Sequence, residues 1–185
     1  MKKIEEIEKE YASFRIKSSF VKNKDEFEAF IQVGIDDIDD AEVSYKKELR
    51  ENRLWQLEAK IRNFFFFLFQ QEEEQLYSYD NDILKEVIKL TEKYKKYYQR
   101  AKELVNDHNF LELTKFIDFI SDYYSRHMEY FEFSRDQLDA QAMGFNLYNP
   151  KMEDNRKIVD MFVESKLSKI EEKPYQYEKK EKLHD

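Results

Sequence analysis

The apolar positions of this chain recur every three or four residues almost from end to end. That is the period of helices that bury one stripe. Ile4, Ile7, Tyr11 and Phe14 set the rhythm over residues 1–17, and Ser18, Ser19 and Asn23 break it. Asp25 with Glu28 three positions on predicts a capping-box start. Phe27, Phe30 and Ile31 then mark the buried face of a short helix that Gly34 ends. Asp36, Asp37, Asp39 and Asp40 suit the entry to a helix, where carboxylates oppose the positive end of its dipole. Asp39 or Asp40 is read as the cap of a long helix over about 40–77.

Within that helix lies the most apolar stretch, Leu54 to Phe69, LWQLEAKIRNFFFFLF. Leu54, Leu57, Ile61, Phe64 and Leu68 step 3-4-3-4, a coiled-coil-like seam. Trp55, Phe65, Phe66, Phe67 and Phe69 widen it to nearly the whole circumference. A helix apolar all round is enclosed by other helices or by a partner. The expectation is that the seam forms the core, with Phe66 and Phe67 on the far side as candidate contacts.

A second long helix, about 82–105 after a turn at 78–81, carries Ile83, Val87, Leu90, Tyr94, Tyr97, Ala101 and Leu104. Asp107 or Asn109 can cap a third, about 110–143, with Leu113, Ile117, Ile120, Tyr124, Phe131 and Leu138 on one seam. His127 fills a missing step of that seam. It is read as a core histidine hydrogen-bonded across the bundle, with a pH switch as the alternative. Gly144 fits a left-handed C-terminal cap, and Asn149-Pro150 the start of a last helix over about 150–172. The fold class read from this pattern is all-α. It is an elongated antiparallel helical bundle of three long helices with shorter N- and C-terminal ones. Residues 1–172 are read as one domain and 173–185 as a charged flexible tail.

Composition sharpens the picture. Two glycines and two prolines in 185 residues argue for long uninterrupted helices. The absence of cysteine excludes disulfides and thiolate metal sites. No run approaches the ~18 apolar residues of a membrane span, and the charged N-terminus lacks the apolar heart of a signal peptide. A cytoplasmic protein with no membrane insertion is expected.

Recognisable catalytic chemistry is missing. No phosphate-binding glycine loop and no Gly-x-Ser-x-Gly is present, and neither His108 nor His127 stands three residues after a glutamate, as a bundle metal site would require. Asp118, Asp122 and Arg126 step by four and read as a surface charge ladder. No catalytic, metal or cofactor residue is assigned.

Charge is segregated. Residues 25–44 hold eight acids and no Lys or Arg, whereas residues 85–102 hold seven bases against two acids. Lys85, Lys89, Lys93, Lys96 and Arg100 form one ridge on the second long helix, with Tyr94, Tyr97 and Tyr98 interleaved. The favoured reading is a non-catalytic protein–protein interaction protein: an inhibitor, adaptor or regulatory subunit. Self-association is a coherent version, with the acidic and basic segments of two antiparallel copies paired. The alternative is nucleic-acid-related. Either Lys89, Lys93, Lys96 and the tyrosines bind RNA or single-stranded DNA, or Asp36, Asp37, Asp39 and Asp40 mimic nucleic acid. One local likeness stands apart from these. Tyr123 to Arg135, YYSRHMEYFEFSR, resembles the tyrosine-rich helix in the N-terminal bundle of Rap-type bacterial regulators, which bind response regulators. The large repeat domain of that family has no counterpart here, and no residue roles are carried over.

Overall fold

The computed structural model describes residues 3–68, 79–142 and 155–172, with side chains for 3–65, 81–136 and 155–172. The fold is all-α: helices α1 (Ile4–Ser13), α2 (Lys24–Leu68), α3 (Tyr79–Leu104), α4 (Phe110–Ala142) and α5 (Arg156–Glu172), and no strand among the described residues. The expected features at Gly144, Asn149-Pro150 and 173–185, and the side chains of Phe66 and Phe67, lie outside the described residues. Two compact units divide the chain. The first takes residues 1–36, 94–127 and 149–185, the second 37–93 and 128–148, so α2, α3 and α4 each contribute to both.

The first unit is built around the start of α4. Phe116, Ile117, Asp118, Phe119 and Ile120 are all buried. Five successive helical residues turn through more than a full circle, so this stretch is enclosed on every side. Phe119 is its centre. Its ring lies 5.1 Å from Tyr11 of α1, 5.2 Å from Phe14 and 5.5 Å from Phe162 of α5. Tyr94 of α3 closes another side, 5.0 Å from Tyr124. Each such ring pair adds roughly 0.5–1.5 kcal/mol beyond the area it buries.

α1 ends at Ser13, four residues earlier than the pattern predicts, and the reason is Asp118. Its buried carboxylate accepts hydrogen bonds from the backbone N–H of Lys17 (2.6 Å), the backbone N–H of Ser18 (2.9 Å) and the Ser18 hydroxyl (2.6 Å). The chain after α1 leaves the helix to deliver those donors. The expected surface ladder is therefore a clamp: Asp118 sits inside it and Asp122 at its rim. Lys17 Nζ reaches Asp122 at 2.8 Å, and Arg126 bonds both Asp122 and Glu10. Partial burial raises the Asp122 pKa, but the Lys17 hydrogen bond and the Arg126 charge outweigh it and hold this carboxyl below its ordinary value. A carboxyl with a depressed folded pKa stabilises fully above its unfolded value, about 4. That contribution fades as pH falls below it.

α2 starts two residues earlier than expected and does not stop at Gly34. Asn23 is the cap: its side-chain oxygen accepts from the backbone N–H of Glu26 at 2.9 Å, while the Glu26 carboxylate accepts from the backbone N–H of Lys22. The aspartates then fall inside the helix instead of capping a new one. Ile31, Ile35 and Ile38 form one buried stripe straight through the aspartate-rich stretch, and a break at Gly34 would forfeit it. Gly34 serves packing. A Cβ there would lie 2.6 Å from Cε1 and 3.1 Å from Cδ1 of the buried Tyr98 ring.

The remaining elements follow the pattern more closely. Val87, Leu90, Tyr94, Tyr97 and Ala101 are buried on α3 as their spacing predicts. The helix includes Tyr79 to Asn81, which the pattern assigned to a turn. Asn109 caps α4. Its side-chain oxygen accepts from Asn106 N–H at 2.7 Å and its amide donates back to the Leu104 carbonyl at 2.8 Å, joining the end of α3 to the start of α4. α5 begins at Arg156, later than expected, because Asn155 is itself non-helical and its carbonyl accepts the first helical bonds from Ile158 and Val159.

Two substitutions probe these packing claims. Gly34→Ala should gain about 1 kcal/mol of helix propensity and lose roughly 1–3 kcal/mol to overpacking. Urea unfolding should therefore show a net loss of about 1 kcal/mol, turning to a gain in a Tyr98→Leu background. Asp118→Ala strands two buried donors and one partly buried one and should cost about 2–4 kcal/mol, against about 1 for Ser18→Ala.

Candidate functional site

The second unit sets an apolar helix face outward. Leu54, Leu57, Ile61, Phe64 and Phe65 of α2 are between 51% and 60% exposed, while Ala59 is fully buried. Trp55 is half-exposed but lies only about 40° from Ala59. Taking 100° per residue from Ala59, Asn52, Gln56, Arg62 and Asn63 cluster within about 60° of it. All four are half-buried. Leu54, Leu57, Ile61 and Phe64 lie more than about 130° away. Small and polar side chains thus pack inward, and the seam expected to form the core is the outer surface. The inward positions make polar bonds: Asn81 of α3 donates to Gln56 Oε1 at 2.8 Å. On the same side Arg135 of α4 pairs with Glu48, whereas Lys46, nearer the outer seam, pairs with Glu42 and Glu92. Beside the outer seam, Lys46, Leu49, Arg50, Arg53, Leu54 and Leu57 line an open groove of about 420 Å³.

Charges flank the seam in an ordered way. Glu51 and Glu58 border it on one side, Arg53 and Lys60 on the other, and all four are exposed. Toward the N-terminus the seam runs out at Lys47 and Arg50, and Lys47 lies 3.9 Å from Glu51.

The other residues singled out by sequence are dispersed. Asp36, Asp37 and Asp40 are exposed on α2 and Asp39 is half-buried. Asp36 accepts from Gln32. On α3, Lys89 and Lys96 are exposed, and Lys89 pairs with Glu86 at 2.8 Å. Lys85 pairs with Asp82, and Arg100 bonds Glu164 and Glu171 of α5. Tyr94, Tyr97 and Tyr98 do not interleave with these cations on the surface. All three are buried, because they lie on the helix face that meets α2, α4 and α5. Tyr97 donates to Asp160 at 3.2 Å and Tyr98 covers Gly34. Among the described residues Tyr94, Tyr97 and Tyr98 therefore give the basic ridge no aromatic platform on which a base could stack. His127 is buried with Nε2 3.2 Å from Asn155 Oδ1, the cross-bundle bond expected of a core histidine. Among the described residues no three His, Asp or Glu side chains gather as a metal-binding group.

Sequence reasoning missed the direction of the α2 face. The signal was present: Asn52, Gln56, Ala59 and Asn63 repeat at 4-3-4, a second seam opposite the apolar one. Apolar residues are given the interior by default, yet over half of a folded surface is apolar, so hydrophobicity alone does not choose between two seams.

The buried tyrosines give a direct check of the first unit. Burial pushes the hydroxyls of Tyr11, Tyr94, Tyr97 and Tyr123 well above their ordinary value. Carboxylates reinforce it: Glu112 beside Tyr11, Asp160 beside Tyr94 and Tyr97, Glu10 accepting from Tyr123. A raised folded pKa stabilises fully below the unfolded value of about 10 and is lost as pH rises past it. Tyrosinate absorbance should therefore rise in two stages. Exposed rings ionise near pH 10, and a delayed group ionises only as the helical circular dichroism collapses. A single wave with helicity intact would contradict the packing.

Comparison of the chain with protein-family models, with curated proteins and with solved structures found no match in any of the three.

Proposed function

We propose that this protein is a non-catalytic interaction protein, an inhibitor, adaptor or regulatory subunit, that binds a protein partner through the outward face of α2. The observation that carries the reading is the inverted amphipathicity of residues 52–65. Contiguous exposed apolar surface of this kind marks an interaction site in a folded protein. Half-exposed Phe64 and Phe65 add aromatic side chains of the kind enriched at interfaces. No helix among the described residues is long and apolar enough to cross a membrane, and a cytoplasmic setting belongs to the proposal. The nucleic-acid reading draws less support, since the α3 cations are in part paired and their tyrosines are internal.

Leu57→Asp with Phe64→Asp separates a binding face from a core. Both positions are open to solvent, so the double variant should keep its helicity and unfold within about 0.5 kcal/mol of wild type. Used as bait in an extract of the source organism, it should lose the proteins that the wild-type chain retains reproducibly. Loss of folding, or an unchanged set of retained proteins, would overturn the reading.

A further inference from the structure

We infer that the occupant of the α2 face is a second copy of this chain, docked parallel and in register along Leu54 to Phe64. The inference rests on the reading of that face as an interaction surface and adds both the partner and its orientation.

The seam has the spacing of a two-stranded coiled coil. Leu54 and Ile61 take the a positions of a heptad, Leu57 and Phe64 the d positions. On this register Glu51, Glu58 and Phe65 fall at e, and Arg53 and Lys60 at g. The flanking charges then decide orientation. In a parallel pair, each g residue meets the e residue five positions further along the second copy. Arg53 meets Glu58 of the second copy, and the two-fold axis makes this pair twice. Lys60 meets Phe65, laying its aliphatic stem and cation on an aromatic ring. An antiparallel pair centred on the same apolar residues would set g against g and e against e. Lys60 would face Lys60, and Glu58 would face Glu58. Parallel docking is thus the arrangement in which the surface complements itself, and it reverses the antiparallel pairing expected from the acidic and basic segments.

Structure and area agree with this. Arg53, Glu58 and Lys60 are exposed, and the face that must contact its own chain is the opposite one, centred on buried Ala59. Lys47 and Arg50 continue the heptad N-terminally at a and d. Two copies would meet there as like charges, which stops the seam and fixes its register. Two heptads of half-exposed Leu, Ile and Phe would bury on the order of 1,000 Å² over both copies, the low end for a specific interface. The dimer should therefore form and dissociate at micromolar concentrations.

The test uses the full chain, which contains no cysteine. Sedimentation equilibrium across the micromolar range should show a reversible dimer. Leu54→Cys should oxidise to a covalent dimer, since parallel a positions lie within disulfide reach. In the antiparallel pair the two would be about 15 Å apart along the axis. Lys89→Cys, away from the seam, should not cross-link. Glu58→Lys should weaken the dimer about fivefold, and Arg53→Glu together with Glu58→Lys should restore it. A dimer that fails to cross-link at Leu54 and ignores these charges overturns parallel docking. A strict monomer overturns self-pairing. In both cases the interaction face survives if Leu57→Asp with Phe64→Asp still folds, and falls with the rest if that variant unfolds.

Discussion

The enclosure of α4 between Phe116 and Ile120 is the constraint on which the first unit depends. A helix buried on every side needs neighbours on every side, and this one has them. Tyr11 and Phe162 bring α1 and α5 against Phe119, and Tyr94 brings α3 against Tyr124. The one carboxylate inside that enclosure, Asp118, is tolerable because three donors reach it. Those donors exist because the chain leaves α1 at Ser13. An apolar demand on one helix thus sets the length of another and the path of the chain between them.

The second unit solves a different problem. There α2 packs through Ala59 and a row of polar side chains, and its polar contacts carry recognition between helices that apolar packing carries elsewhere. Buried polar groups of this kind stabilise only when satisfied, and Gln56 with Asn81, and Glu48 with Arg135, supply partners. The apolar surplus of Leu54 to Phe65 is left outside. In water such a surplus is a driving force awaiting an acceptor of matching shape, and the charges at 51, 53, 58 and 60 restrict what that acceptor can be.

The sequence was legible wherever a helix met its neighbours through one stripe. α3 is the clearest case: Val87, Leu90, Tyr94, Tyr97 and Ala101 read as buried and are buried. Asn109 read as a cap because its role is local. Reading failed where the partner lies far along the chain. Gly34 looked like a stop signal, but what selects glycine there is the ring of Tyr98. Asp118 looked like a rung of a surface ladder, because nothing near it in sequence announces the backbone of Lys17 and Ser18. Tyr94 and Tyr97, already read on the seam, were counted together with Tyr98 among the α3 lysines as well, although helical geometry turns adjacent residues to different faces. The α2 face failed for a further reason: two seams of equal period share one helix, and composition favours the wrong one.

The central claim is that the residues around Leu54–Phe65 face solvent in the single chain. Trp55 is the only tryptophan of the protein and lies about 40° from buried Ala59 on the inward side of α2, so Trp55→Phe with Phe64→Trp moves the reporter to the outer seam. The fluorescence of that variant, diluted below the micromolar range of the proposed pairing, reports directly on which way the seam faces. An outward seam gives red-shifted emission that acrylamide quenches readily while the chain remains fully helical. Blue-shifted emission that resists quenching until the protein unfolds would place this stretch in the core and contradict it.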